Sequence, residues 1–202
     1  MKEKIKAVAF DIGGVLDIGD AYYGYLSKSL GIDIQDFIKA SDNHVKKAIN
    51  GKITTKQLVS SIAKRLNMDA DDLLKKWVKS KRLYIKKDKD VENIIKKLRK
   101  NKYKIATLTN VSDIHHRIRI EKGFYDHFHF NICSCEVGLS KPNIRIYKLL
   151  IKKLKLKPEE IIFVDDVKEC LIPAKKLGIK TILFRNAKQL ARDLKKFDVK
   201  LK

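Results

Sequence analysis

The stretch Val8-Ala9-Phe10-Asp11-Ile12-Gly13-Gly14-Val15-Leu16 decides how the rest of the chain reads. A short apolar run, Ile5 to Phe10, ends on a carboxylate, and two glycines follow at once. A buried parallel strand has this composition, and it would deliver Asp11 to the carboxyl edge of a sheet. In open α/β sheets that edge is where ligands bind. The glycines let the backbone turn sharply and come close to a ligand. Taken alone, Asp11 reads equally well as a strand-end residue that caps a turn. Three later stretches answer it.

Beyond this stretch, residues 20 to about 82 carry a helical pattern. Tyr22, Tyr25, Leu26 and Leu30 recur at helix spacing, as do Phe37, Ile38, Val45 and Ile49. Asn50-Gly51-Lys52-Ile53-Thr54 reads as a helix stop, a short link and a new N-cap. Leu58, Ile62 and Leu66 form a third stripe, and Leu73, Leu74, Trp77 and Val78 a fourth. Four short helices in a row predict a small helical bundle. After about residue 88 strands and helices alternate. Strands are expected at 104–109, 131–135, 160–165 and 180–184, and helices around Val91–Leu98 and at 114–121, 143–154, 172–177 and 190–197. Pro173 is expected in the first turn of its helix and Gly178 at that helix's stop.

Alternating strand and helix predicts an α/β fold, a Rossmann-like parallel sheet with helices on both faces. The bundle is inserted after strand 1, as a cap over the strand ends. The expected core is residues 1–17 and 86–202, and the expected cap is residues 18–85. Within the core, three later polar pairs each follow a mainly apolar stretch: Thr109-Asn110 follows Ile105-Ala106-Thr107-Leu108, Lys141-Pro142 follows Val137-Gly138-Leu139-Ser140, and Asp165-Asp166 follows Ile161-Ile162-Phe163-Val164.

The bulk composition narrows the function classes. In 202 residues, 44% are hydrophobic and 35% charged, which suits a globular domain with a highly charged surface. The net charge of +22 comes mostly from lysine. Lys-Lys pairs recur at roughly one per predicted helix, so the charge is spread over many faces. The densest patch, residues 75–89, contains Trp77 and Tyr84. Dispersed charge points away from specific nucleic-acid binding and toward attraction of anionic substrates. Three cysteines, Cys133, Cys135 and Cys170, are too few and too odd in number for a disulfide framework, so a reducing cytoplasmic compartment is expected. Cys133 and Cys135 would share one strand face as packing residues. No apolar run approaches the ~18 residues of a membrane span, and no membrane partner is expected.

Asp11-Ile12-Gly13-Gly14, Thr109-Asn110, Lys141-Pro142 and Asp165-Asp166, in that order, resemble the four motifs of the haloacid dehalogenase superfamily. The cap resembles the four-helix insert of its phosphatase-like subgroup, and Asn50-Gly51-Lys52-Ile53-Thr54 is similar to a recurrent turn of that cap. The resemblance implies a Mg²⁺-dependent phosphatase of a small phosphorylated metabolite, similar to sugar-phosphate phosphatases with an Asp-x-Gly first motif. Asp11 would be the nucleophile, forming an aspartyl-phosphate. Metal ligands would be Asp11, the backbone carbonyl of Gly13 and Asp166. Asp165 would stand behind them, holding Lys141. Thr109, the Asn110 N–H and Lys141 would bind the phosphate. A hard cation relieves the repulsion between a carboxylate and a phosphate dianion.

Gly13 departs from the pattern. The family's phosphatases usually carry an aspartate there as general acid and base, help worth about 10²–10⁴ in rate. Asp17, Tyr22 and Tyr23 are candidate substitutes, Asp17 reading more simply as a turn residue. Cys170 stands where the fourth motif often carries an amide residue. His115 and His116 read as surface or packing residues. Specificity is expected in the cap, with Tyr22, Tyr23, Tyr25, His44 and Trp77 as lining or packing candidates. The same residues admit two other functions. One is a metal-free 2-haloacid dehalogenase, whose relatives also lack an acid at the Gly13 position. The other is a catalytically weak binding protein, for example for RNA.

Overall fold

The computed structural model describes residues 4–19 and 22–202, with side-chain surroundings for all of these except Asp42 and Asn43. Five strands, β1 (Ala7–Phe10), β2 (Lys104–Thr109), β3 (Phe130–Cys133), β4 (Ile161–Asp165) and β5 (Lys180–Leu183), form one sheet. Their order is β3-β2-β1-β4-β5 and every pairing is parallel. The central β1 is fully buried, as an unbroken apolar run requires when both faces are covered.

Side-chain alternation divides the core into two layers. Val8, Phe10, Ile105, Ile162 and Val164 face one side, against α5 (Lys89–Lys100) and α10 (Ala187–Lys196). Ala7, Ala9, Ala106, Leu108 and Phe163 face the other, against α8 (Ile144–Leu154) and α9 (Lys168–Lys176). The small residues on the second face leave room for Tyr147, which is wholly buried and meets Phe163 edge-on at 5.7 Å. Its hydroxyl donates to the Cys170 carbonyl at 2.5 Å.

Four helices between β1 and α5 make the cap: α1 (Tyr22–Leu30), α2 (Ile34–Ile49), α3 (Thr55–Leu66) and α4 (Ala70–Tyr84). They enclose their own apolar cluster around Leu26, Phe37, Leu58, Ile62, Leu73 and Trp77. The 50–54 segment behaves as its sequence predicts. Gly51 has φ +65° and Thr54 forms a capping box with Gln57. The chain leaves and re-enters the core side by side. The Ile18 N–H donates to Lys86 O at 3.0 Å and the Asp88 N–H to Leu16 O at 2.8 Å. The cap also touches the core through Thr55 N–H to Asp113 Oδ1 at 2.9 Å and an Arg82–Glu121 ion pair at 2.9 Å.

Two local expectations are corrected. The strand at 131–135 ends at Cys133 and gives way to a one-turn helix, α7 (Ser134–Val137), so Cys133 and Cys135 do not share a strand face. Gly138 at φ +67° closes that turn. The helix expected from 172 begins at Lys168, which places Pro173 inside it and not in its first turn. The remaining core helix, α6 (Asp113–Glu121), follows β2. Trp77 and Tyr84, within the densest lysine patch, are not surface aromatics. Trp77 is buried against Phe37, and the half-buried Tyr84 ring is tilted against that of Tyr25 at 5.4 Å. Among the described residues no helix is long and apolar enough to cross a membrane.

Candidate active site

The parallel register carries three strand ends to one edge. Phe10 pairs with Thr107 and with Val164, so Asp11 emerges between Thr109 and Asp165. The Asp11 N–H prolongs the ladder to Val164 O at 2.8 Å. Its own carboxylate then turns back, Oδ1 accepting the Ile12 N–H at 2.7 Å. The chain closes a tight loop after it, with the Leu16 and Asp17 N–H groups both donating to Ile12 O. Gly14 sits in this loop at φ +69°. The backbone conformation favours glycine, and a Cβ there would fall 2.1 Å from Asp166 Oδ2 and displace that carboxylate.

Lys141 ties the strand ends together. Its Nζ lies 2.9 Å from Asp11 Oδ2 and 2.7 Å from Asp165 Oδ2, with almost no solvent exposure. Burial opposes the charge on Lys141, but the Asp11 and Asp165 carboxylates more than offset it and its pKa rises. Asp165 is fully buried, and its second oxygen accepts the Val167 N–H at 2.8 Å. Burial pushes the Asp165 carboxyl upward, opposed by Lys141 and reinforced by Asp11. Asn110 fixes the lysine loop from β2. Its Nδ2 donates to Lys141 O, and its Oδ1 accepts the Lys141 N–H, both at 2.9 Å.

Asp11, Gly13, Asn110 and Asp166 line one cavity of about 380 Å³ between core and cap. Asp11, Asp165 and Asp166 each place a carboxylate oxygen within 4.8 Å of the others. Thr109 does not line the cavity. It is fully buried behind it, and its hydroxyl accepts from Arg119 Nη1 at 3.4 Å.

Arg119 is a component that sequence reading passed over. It is buried, and its Nε and Nη2 donate to Asp17 Oδ2 at 3.1 and 2.9 Å. Its Nη2 lies 3.5 Å from where a Cβ on Gly13 would stand. The guanidinium therefore adjoins the position at which an acidic side chain is missing. Burial opposes ionisation of Asp17, yet its interactions with His115 and Arg119 hold its pKa down to about 2. Asp17 is thus a standing carboxylate and not a proton donor at neutral pH. His115, expected at the surface or in packing, lines the cavity with its Nε2 3.5 Å from Asp17 Oδ2. Burial, then the charge of Arg119, lowers its pKa to about 3, so it is neutral. The available signal was spacing, since residues 115 and 119 share a helix face. His116 keeps the packing role, between Tyr125 Oη and Glu136 Oε1 at 3.1 Å each. Cys170 is a buried thiol whose pKa burial raises to about 11.

Of the cap residues singled out in sequence, Tyr22, Tyr23 and Trp77 line the cavity. Tyr25 and His44 are not among its lining. Lys81, one helical turn after Trp77, joins them, its Nζ 3.3 Å from the Tyr22 ring centre and 3.5 Å from His115 Nδ1.

Residues 5–178 match the family model for haloacid dehalogenase-like hydrolases. Bifunctional epoxide hydrolase 2 of Sus scrofa is 47% identical over 70 residues, a match spanning 35% of this chain and only 13% of that longer protein. Glyceraldehyde 3-phosphate phosphatase of Methanopyrus kandleri is 30% identical over 109 residues, covering 52% of this chain and 46% of the relative. A family enzyme of Bacteroides thetaiotaomicron, solved with magnesium and inorganic phosphate, superposes with a TM-score of 0.75 at 22% identity, covering 90% of this chain and 94% of that one. The L-2-haloacid dehalogenase of Xanthobacter autotrophicus superposes at 0.67 with 19% identity, covering 97% and 84%.

Proposed function

Because the chain belongs to the haloacid dehalogenase-like hydrolases, we propose that it is a Mg²⁺-dependent phosphatase of a small phosphorylated metabolite. The observation that carries this reading is the Asp11–Lys141–Asp165 array, with Asp166 beside it at the cavity. An all-oxygen, carboxylate-rich donor set suits a hard cation better than a soft one. Asp11 and Asp166 would hold the magnesium, with the Gly13 carbonyl. Asp165 keeps to Lys141 and the Val167 N–H. When bound, the metal neutralises the charge of the phosphoryl oxygens and of the attacking carboxylate.

The chain's own residues supply the rest. Asp11 is held by its Ile12 N–H contact and by Lys141 at the strand end, and attacks phosphorus in line. An acyl phosphate forms on Asp11 as the ester oxygen leaves, and water then releases phosphate. Lys141 offsets the charge shared by Asp11 and the phosphoryl oxygens. The Asn110 N–H is the proposed contact for the remaining oxygens, and the Thr109 hydroxyl, buried behind the cavity against Arg119, would join it only by turning toward the phosphate. Gly13 brings no proton to the leaving oxygen, and Asp17 is ionised, so the proton comes from solvent or from another group on the cavity wall. The cap excludes bulk water during transfer.

Hydrolysis of an aryl phosphate, measured with Mg²⁺, with EDTA and with the Asp11→Asn variant, tests the reading. Turnover that needs both the metal and Asp11 is the expected result. No ester turned over above the Asp11→Asn background would overturn it. Release of halide from 2-haloacids in EDTA would replace it with dehalogenase chemistry.

A further inference from the structure

The cavity has two unlike ends. At the core edge it is bounded by Asp11, Asn110 and Asp166. At the cap it is walled by Val45, Ala48 and Ile49 of α2, Leu58 of α3 and Trp77 of α4. Ala48, Leu58 and Trp77 are buried members of the cap's own apolar cluster, so the rigid inside of the bundle also forms the wall of the cavity. We propose that this cap end is an apolar subsite for the leaving group. The substrate would then be the phosphate monoester of an apolar alcohol or phenol, and not of a sugar or other polyol. The proposal rests on the phosphatase reading above and names the substrate class for the same site.

Size and solvation both favour it. A dry apolar cavity of about 150 Å³ is enough to hold benzene. The 380 Å³ here accommodates a phosphoryl group at one end and a ring or short chain at the other. Each methylene moved from water onto such a wall strengthens binding about fourfold. Each sugar hydroxyl placed there without a partner weakens it about tenfold. Ser41 is the polar side chain that α2 contributes to the lining among the described residues. Tyr22, Tyr23 and Lys81 also border the cavity, with Lys81 Nζ set over the Tyr22 ring at 3.3 Å, and the polyol esters in the test report whether these groups serve sugar hydroxyls.

The test is a series of n-alkyl phosphates from ethyl to hexyl beside glycerol phosphate and glucose 6-phosphate, all with Mg²⁺. The expected result is a KM that falls about fourfold per methylene until the subsite is filled, with both polyol esters poorer in kcat/KM than hexyl phosphate. Ile49→Gln probes the wall, because Ile49 is half-buried and lies outside the cap cluster. It should flatten the series by raising KM for the hexyl ester more than for ethyl phosphate. Ile49→Val should keep the slope. A flat series in the native protein, or polyol esters turned over as well as hexyl phosphate, overturns the proposal. Absence of turnover on every ester is instead a failure of the phosphatase reading. Calorimetry with hexylphosphonate and methylphosphonate then decides the subsite on its own, and equal affinities overturn it.

Discussion

Gly14→Ala separates the backbone role of the first loop from its role at the metal. Residue 14 has φ +69°, a conformation that costs a non-glycine residue roughly 1–2 kcal/mol. The new Cβ would also fall 2.1 Å from Asp166 Oδ2 and 2.5 Å from its Cγ, well inside van der Waals contact. Asp166 is exposed, so its side chain swings away and does not force the core apart. The stability loss should therefore stay near the backbone cost, a drop in Tm of about 2–8 °C for a chain of this size. The displaced carboxylate is a proposed magnesium ligand. The Mg²⁺ concentration for half-maximal activity should rise by about 10–100-fold, the range seen when a site's supporting groups are lost. Thermal unfolding and a Mg²⁺ titration of aryl phosphate hydrolysis measure the two effects. Repeating both in an Asp166→Ala background closes a double-mutant cycle. There Gly14→Ala should still lower Tm and no longer change the Mg²⁺ requirement. A native Mg²⁺ requirement in Gly14→Ala, or full additivity in the cycle, would refute the reasoning.

Three further outcomes follow from the geometry. Arg119→Met leaves the buried Asp17 carboxylate without its guanidinium and should cost about 3–5 kcal/mol in urea unfolding, whereas Asp17→Asn combined with Arg119→Met should cost less than the single change. Acid titration of stability has two parts. Asp17, held at about 2 against an ordinary 3.8, adds about 2 kcal/mol that is complete above pH 3.8 and lost as pH falls toward 2. His115, held neutral down to about 3 against 6.5, lets the unfolded chain take up a proton first, so stability falls by about 1.4 kcal/mol per pH unit below 6.5. A His115→Gln variant with an unchanged slope between pH 6 and 4 would contradict that second part. Asn110→Ala removes both 2.9 Å bonds to the Lys141 backbone. It should lower stability by about 1–3 kcal/mol and reduce kcat more than KM, as stopped assays with the aryl ester would show.

Much of the fold was legible in the chain because its signals are local. The apolar run ending at Asp11, the strand at 104–109, the Val91–Leu98 stripe and the Asn50–Thr54 punctuation each carry their own period or cap. Where a local signal is ambiguous, the reading slipped. Cys133 to Cys135 has strand composition, yet Ser134 starts a helical turn, its hydroxyl accepting the Val111 N–H at 2.9 Å from the neighbouring strand end. Pro173 resembles a helix start but lies mid-helix, where α9 is held by packing against β4 and β5. The order of Asp11, Thr109, Lys141 and Asp165 could be read in one dimension, because each follows its own apolar strand or turn. That Lys141 Nζ stands between Asp11 and Asp165 depends on β1 lying next to β4 in a β3-β2-β1-β4-β5 sheet. The pairing of Arg119 with Asp17, 102 positions away, depends on α6 crossing over the first loop. So does the neutral state of His115, and so does the apolar wall that residues of α2, α3 and α4 present to the cavity. Hydrophobic period reports which face of an element is buried. Which charged group meets which across that buried face is set by long-range packing.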